Sequence, residues 1–392
     1  MTDPYGLLVI GNGPAGTSAA AAYVRAGGAG RVCVLTADVD EHYQRPPLSK
    51  AVLAGDEPPE RTPALDDEPA LEGVEVRLRA RVAHLDLAAT TVRLEDGEEI
   101  GYERLVVATG STPVRLPDVA EDAKVHVLRS LADARGLVAA VDDARSAVVV
   151  GSGFIGCEAA ASLATRGLDT VLVTPEEQPQ AARLGPWAGD RLSEWLRAAG
   201  VRLHSGSGVA TIAAPAVVRL EDGSSYDADV VLVAVGVEQT QPFLEKSGLA
   251  TEDGRLVVGS DLRTSDPHVW AAGDVAMAHH DVVDRPLSVE HWGDALTMGE
   301  LAGGNAAGGQ EVWSDAPGFW SEIGEHTLKY SAWGDGFETA EVVEGDGGAF
   351  TVWYADAEGE LVGVLTHEHD DDYERGADLL GRRARLEEVL GP

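Results

Sequence analysis

The spacing G-x-G-x-x-G occurs twice in this 392-residue chain, once at Gly11, Gly13 and Gly16 and again at Gly151, Gly153 and Gly156. Glycines at that spacing let the backbone turn tightly and approach a pyrophosphate, which then rests on the positive end of the following helix. The chemistry implied is dinucleotide binding, twice over. Two dinucleotides in one chain point to a tightly held flavin beside a second nucleotide. An acid roughly 20 residues beyond such a loop holds a ribose hydroxyl. Asp38, 22 residues after Gly16, meets that requirement for the first copy.

A glycine loop does this work only between a strand and a helix. Leu7-Leu-Val-Ile leads into the first loop, followed by an Ala-rich helix (TSAAAAYVRAGG) and a second strand, RVCVL. Ala147-Val-Val-Val leads into the second, followed by CEAAASLATRG and DTVLV. The plan repeats with a period of 140 residues and predicts two β-turn-α-β units of doubly wound parallel sheets. RLVVATGS (104–111) and DVVLVAVGV (229–237) read as further buried strands. Residues 74–94 alternate and predict an antiparallel meander, 191–200 an amphipathic helix stopped by Gly200, and 268–276 a strand-to-helix junction. After Pro317, short aromatic strands between Gly-Asp turns predict an antiparallel sheet, and the last 20 or so residues a single helix.

Composition narrows the partners. The formal charge is −36, from 66 acids against 30 bases, of which only Lys50, Lys124, Lys246 and Lys329 are lysine. That field repels nucleic acid and anionic membrane. It suits a high-salt cytoplasm and equally a high-GC codon usage. No run approaches the ~20 apolar residues of a membrane helix. The start has no basic n-region, so a cytoplasmic location is expected. The two cysteines, Cys33 and Cys157, form neither a C-x-x-C pair nor a zinc framework.

The chain resembles the FAD-dependent pyridine-nucleotide oxidoreductases, in particular the ferredoxin-reductase branch that serves oxygenases and cytochromes P450. His42-Tyr-Gln-Arg-Pro-Pro-Leu-Ser-Lys50 is similar to that branch's Y-x-R-P-P-L-S-K signature. Leu105-Val-Val-Ala-Thr-Gly110 matches the linking ATG motif, and Thr264 to Asp274 the second flavin motif. Glu290-His-Trp292 and Phe319-Trp-Ser-Glu322 match two later signatures.

The resemblance implies roles. Gly11, Gly13 and Gly16 cradle the FAD pyrophosphate, Asp38 its ribose and Asp274 its ribityl chain. Arg45, Lys50, Thr109 and Gly110 fall where the branch contacts flavin, and a lysine there stabilises negative charge on reduced flavin. Trp292 is expected near flavin and nicotinamide. Gly151, Gly153 and Gly156 bind NAD(P)H, with Glu158 near the nicotinamide. The family's NAD-selecting acid falls on Thr174, with Glu176 and Glu177 directly after it. No arginine lies between Arg166 and Arg183 to pair a 2′-phosphate, so NAD(H) is favoured over NADP(H). The stretch Tyr43–Lys50 lacks the flavin-side cysteine of disulfide reductases and peroxidases, so electrons are expected to leave the flavin directly.

Two clusters read more plainly. His367-Glu-His-Asp-Asp-Asp372 is a solvated acidic turn rather than a metal site, and Arg375, Arg382, Arg383 and Arg385 an ordinary charged face. The fold class expected is α/β, with two Rossmann-like dinucleotide-binding domains plus a C-terminal α+β domain. The FAD domain covers 1–117 and 251–314, the NAD(P) domain 118–250 and the C-terminal domain 315–392. The expected function is electron transfer from NAD(P)H through FAD to a [2Fe-2S] ferredoxin, by a monomer or homodimer. Two alternatives stay open: a stand-alone oxidoreductase on a small molecule such as a quinone, and an NADH-sensing flavoprotein.

Overall fold

The two apolar runs that precede the glycine loops are strands covered on both faces, and they lie at the centres of two parallel sheets. The computed structural model describes residues 3–59, 71–239 and 241–390. The outermost residues expected for the first and last domains, 1–2 and 391–392, lie outside the described residues, as do the first two residues of the start on which the cytoplasmic expectation rests.

In the first sheet the spatial order is Val269–Ala271, Leu105–Val107, Leu7–Ile10, Val32–Leu35 and Val74–Arg77, all parallel. In the second it is Arg202–His204, Asp169–Val173, Ser146–Val150, Val230–Val233 and Val125–His126, again all parallel. In each, the chain runs outward on one side and then returns to the other side of the central strand. That reversal opens a crevice at the carboxyl ends of the strands, where the glycine loops sit.

Beyond the second sheet, five antiparallel strands run in the order Gly318–Ile323, His326–Ala332, Leu361–His367, Phe350–Ala355 and Thr339–Glu344. This sheet packs on both parallel units. Ile323, Leu328 and Phe350 share a core with Leu184 and Leu192, whereas Trp353 and Leu361 join the core of the first sheet. Among the described residues no helix is long and apolar enough to cross a membrane.

Four expectations about elements are corrected. Val74–Arg77 is not part of the meander but pairs in parallel with Val32–Leu35; only Val82–Asp86, Thr91–Leu94 and Glu99–Gly101 are antiparallel. The break falls at Arg79, whose φ is +55° and whose N–H bonds the Asp38 carbonyl. The segment 268–276 leads not into a helix but through the 3₁₀ turn Gly273–Val275 into the strand Ala276–His280. The helix expected at 191–200 begins at Ala181 and is kinked at Gly185 ahead of Pro186. The final helix is two helices, Asp370–Gly381 and Leu386–Leu390, separated where Arg383 takes φ +54°.

Candidate active site

The two glycine loops open onto one cleft of about 940 Å³. Gly11 and Gly13 come from the first loop and Gly153 from the second. Gly11 takes φ +114° and Gly151 φ +103°, a region that L side chains rarely adopt. A Cβ on Gly16 would lie 1.9 Å from the Gly11 carbonyl oxygen, and one on Gly156 2.0 Å from that of Gly151. Gly16, Gly151 and Gly156 therefore shape the loops from behind and do not line the cleft. The helices that follow, Pro14–Arg25 and Phe154–Thr165, begin at Gly13 and Gly153, so their unpaired N–H groups face the opening.

Asp38, Arg45, Lys50, Thr109, Gly110, Glu158, Asp274 and Trp292 all lie on the cleft wall. Asp38 is aimed by its own loop: Oδ1 accepts from the Val39 and Asp40 N–H groups at 2.7 and 3.2 Å, and Oδ2 from the Tyr43 hydroxyl at 2.9 Å. The Arg45 guanidinium donates to the Arg129 carbonyl at 2.7 Å, and burial lowers its pKa. Asp274 Oδ2 accepts from Ser111 Oγ at 2.6 Å and from Arg129 Nη2 at 2.7 Å. Thr109 Oγ1 and Trp292 Nε1 are buried without a hydrogen-bond partner, as polar atoms are where a ligand completes the site.

Lys50 and Glu158, read separately in the sequence, meet here. Lys50 Nζ lies 3.1 Å from Glu158 Oε1 and donates to the Pro46 carbonyl at 3.2 Å. Glu158 is 3% exposed and so is not a helix-surface acid. Its Oε2 accepts from Ser49 Oγ at 2.6 Å, and its Oε1 from Ser321 Oγ at 2.7 Å.

Other expectations fare differently. Thr174 is 1% exposed and off the cleft wall; its hydroxyl is 2.7 Å from Ser152 Oγ and accepts from the Glu176 N–H. Glu176 is also off the wall, its Oε2 accepting from the Ala182 N–H at 3.4 Å. Arg183 is on the wall instead, over the Phe154 ring at 6.0 Å. Both cysteines are free and buried. Burial pushes the Cys33 thiol up to about 12 and raises that of Cys157 as well. The stretch from His367 is not a solvated turn: His367 is buried at the end of the strand Leu361–His367, its Nδ1–H donating to the Thr327 carbonyl at 2.8 Å, and Asp370–Asp372 open a helix; no metal-binding group of side chains occurs among the described residues. Arg382, Arg383 and Arg385 pair with Glu388, Glu360 and Glu387.

Sequence reasoning missed Ser49, Ser111, Arg129 and Ser321. For Arg129 a signal was present. Ser130 and Asp133 form a capping box that starts the helix Leu131–Val141 and fixes the residue before it.

The family model described as pyridine nucleotide-disulphide oxidoreductase matches residues 5–299. The chain belongs to this family. It is 31% identical over 389 residues to the chloroplastic/mitochondrial monodehydroascorbate reductase of Arabidopsis thaliana, covering 91% of this chain and 78% of that one. It is 33% identical over 329 residues to the ferredoxin–NAD(+) reductase component of the biphenyl dioxygenase system of Paraburkholderia xenovorans, covering 82% and 80%. Among solved structures, the covalent putidaredoxin reductase–putidaredoxin complex matches with a TM-score of 0.90 and 25% identity, over 98% of this chain and 94% of that one. The family takes part of its name from a disulphide, whereas the two thiols here stand apart, one in each parallel unit.

Proposed function

We propose that the protein is a cytoplasmic FAD-dependent oxidoreductase that takes electrons from NADH and delivers them to a [2Fe-2S] ferredoxin. The observation that carries the reading is that both glycine loops open on one cleft, with the Lys50–Glu158 pair on its wall and no thiol there. The residues fit FAD: a glycine cradle at Gly11 and Gly13, the Arg45 cation beside it, and the unpartnered Thr109 hydroxyl. Bound FAD supplies the exchange between two-electron and one-electron chemistry that no side chain here offers.

The chain's own residues do the rest. The loop N–H groups and Arg45 hold the pyrophosphate, and Asp38 accepts from the adenosine ribose. Asp274, tied to Ser111 and Arg129, keeps an oxygen for the ribityl hydroxyls. Lys50 holds a positive charge at the cleft, and Glu158 keeps it there. Trp292 and the apolar wall exclude water. Gly153 and the helix behind it receive NADH, with Gly151 and Gly156 shaping the loop.

A discontinuous FAD domain (1–117 and 251–314), an inserted NAD domain (118–250) and a C-terminal α+β domain (315–392) follow from the same reading. The edge strand Val269–Ala271 supports it, because it completes the first sheet from beyond the second. Free buried thiols agree with a reducing compartment.

Anaerobic titration of the purified protein with NADH tests this, followed by ferredoxin-dependent cytochrome c reduction. One FAD per chain, bleached by one NADH, is expected. A colourless protein that takes up no FAD overturns the reading.

A specific observation favours a second acceptor class, a quinone or another small oxidant. Three of the four arginines of the basic stretch near the C-terminus, Arg382, Arg383 and Arg385, are already paired with acids and the fourth, Arg375, lies over the Trp353 ring, so the stretch offers little to an acidic ferredoxin. Turnover with a quinone but not with any ferredoxin decides for it. Slow reoxidation by every acceptor marks the NADH-sensing alternative.

A further inference from the structure

Three distant segments converge on the Glu158 carboxylate. Ser49 and Lys50 lie at the end of the 3₁₀ turn Pro46–Ser49, and Glu158 itself is on the helix Phe154–Thr165. The third segment is the edge strand Gly318–Ile323 of the antiparallel sheet. From it Ser321 Oγ donates at 2.7 Å and the Glu322 N–H at 3.3 Å, both to Oε1. The N–H is free to do so because alternate N–H groups of an edge strand point away from the sheet. Side chains alternate too: Ser321 is wholly buried, whereas its neighbour Trp320 is 37% exposed.

Oε1 is also the oxygen that faces Lys50. A carboxylate's last torsion is broad, so nothing within Glu158 itself fixes where Oε1 points. Ser49 restrains Oε2 from one side, and Ser321 with the Glu322 N–H restrains Oε1 from the other. The antiparallel sheet therefore sets the orientation of the acid that holds the cleft's lysine.

We infer that Ser321 is a positioning residue for NADH-driven flavin reduction, acting through Glu158 on Lys50. The inference rests on the function proposed above. Ser321 does not line the cleft; it fixes the direction in which the Lys50 charge is presented. A serine that merely filled space or satisfied its own hydroxyl would affect stability alone.

The test uses the FAD-loaded protein, with flavin reduction by NADH followed in stopped flow and the flavin midpoint potential measured separately. Ser321→Thr and Ser321→Val have matched shapes and differ in the hydroxyl. Ser321→Thr is expected within about twofold of the unaltered protein. Ser321→Val is expected to slow the limiting reduction rate about tenfold with little change in NADH affinity, and to move the potential to more negative values. In a Glu158→Gln background, Ser321→Val is expected to cost less than a further twofold, because the interaction is already lost. Ser321→Ala repeats the measurement with a smaller side chain, so a poorly folded valine variant does not decide the outcome.

Multiplicative effects of Ser321→Val and Glu158→Gln overturn the inference. So does an unchanged rate and potential in Ser321→Val or Ser321→Ala while the unaltered protein binds FAD and is reduced by NADH. Failure of the unaltered protein to bind FAD or to be reduced overturns the underlying reading instead, and the inference with it.

Discussion

Lys50 Nζ sits 3.1 Å from Glu158 Oε1, bridging the loop after the first glycine unit and the helix of the second. The lysine side chain is 14% exposed and the glutamate 3%, so both charges have been taken largely out of water. Pairs of this kind add little net stability when intact, but breaking one strands its partner.

Lys50→Met is accordingly expected to lower stability by about 3 kcal/mol, because it leaves a buried carboxylate without its counter-ion. Combining it with Glu158→Gln recovers most of that loss. Urea unfolding of the FAD-loaded proteins measures both. Equal stability of the single and double variants would show that the pair is not energetically coupled.

Affinity for NADH is expected to depend on Arg183 rather than on the residues that follow the strand Asp169–Val173. Arg183 is on the cleft wall, where Thr174 and Glu176 are not. Arg183→Ala is expected to raise the KM for NADH about five- to tenfold at low salt, ~1–1.4 kcal/mol of a charge-assisted phosphate contact, with kcat little changed. The difference shrinks as salt rises. Thr174→Glu is expected to raise KM and lower the melting temperature, because the carboxylate replaces the Ser152 contact at a site with 1% exposure. A lower KM in Thr174→Glu would mean that this loop rearranges to face the ribose.

Thiol reagents offer a direct check on the route of the electrons. With Cys33 pushed up to about 12 and Cys157 raised as well, neither forms appreciable thiolate at pH 7 to 9. The native protein is expected to resist iodoacetamide and to label at both cysteines only after unfolding. Cys33→Ala with Cys157→Ala should leave NADH-driven ferricyanide reduction within about twofold. Rapid labelling that abolishes turnover with FAD still bound would put thiol chemistry back in the mechanism.

Mild acid should destabilise the protein through three histidines, of which His280 is fully buried and His126 and His326 are half-buried. Burial lowers His280, His126 and His326 from the ordinary 6.5. A base depressed in the folded state contributes stability that is intact above the unfolded value of 6.5 and is lost as pH falls below it towards the folded value. His280 Nε2 is 3.0 Å from the Asp315 carbonyl, and its ring packs between Trp313 and Trp333. The melting temperature is therefore expected to fall between pH 6.5 and 5, and His280→Phe to flatten part of that slope. An unchanged slope in His280→Phe assigns the effect to the other two histidines.

The two glycine units were legible from residues 7 to 35 and 147 to 173 because everything that makes them is local. Apolar runs, loop glycines and small-residue helices follow one another within about 30 residues, and each dictates its own backbone. Asp38 was legible from its offset after the first glycine loop, whereas Lys50, Glu158 and Asp274 were legible through the family resemblance and the motifs that carry it. Nothing local records which of them meet. The carboxylate of Glu158 is held by Ser49 and Ser321, and that of Asp274 by Ser111 and Arg129. Ser49 and Ser321 stand inside signature motifs and Arg129 beside a capping box, but nothing in those motifs says which carboxylate each one meets. Side-chain direction was also out of reach. Thr174 turns into the loop because Ser152 offers it a partner there, and the chain returns to the cleft at Arg183 after Gln180 takes φ +61°. Hydrogen bonds between remote segments exist only once three sheets have packed, so the elements could be read from neighbouring residues, whereas the wiring of the site had to wait for contacts that the chain makes across its whole length.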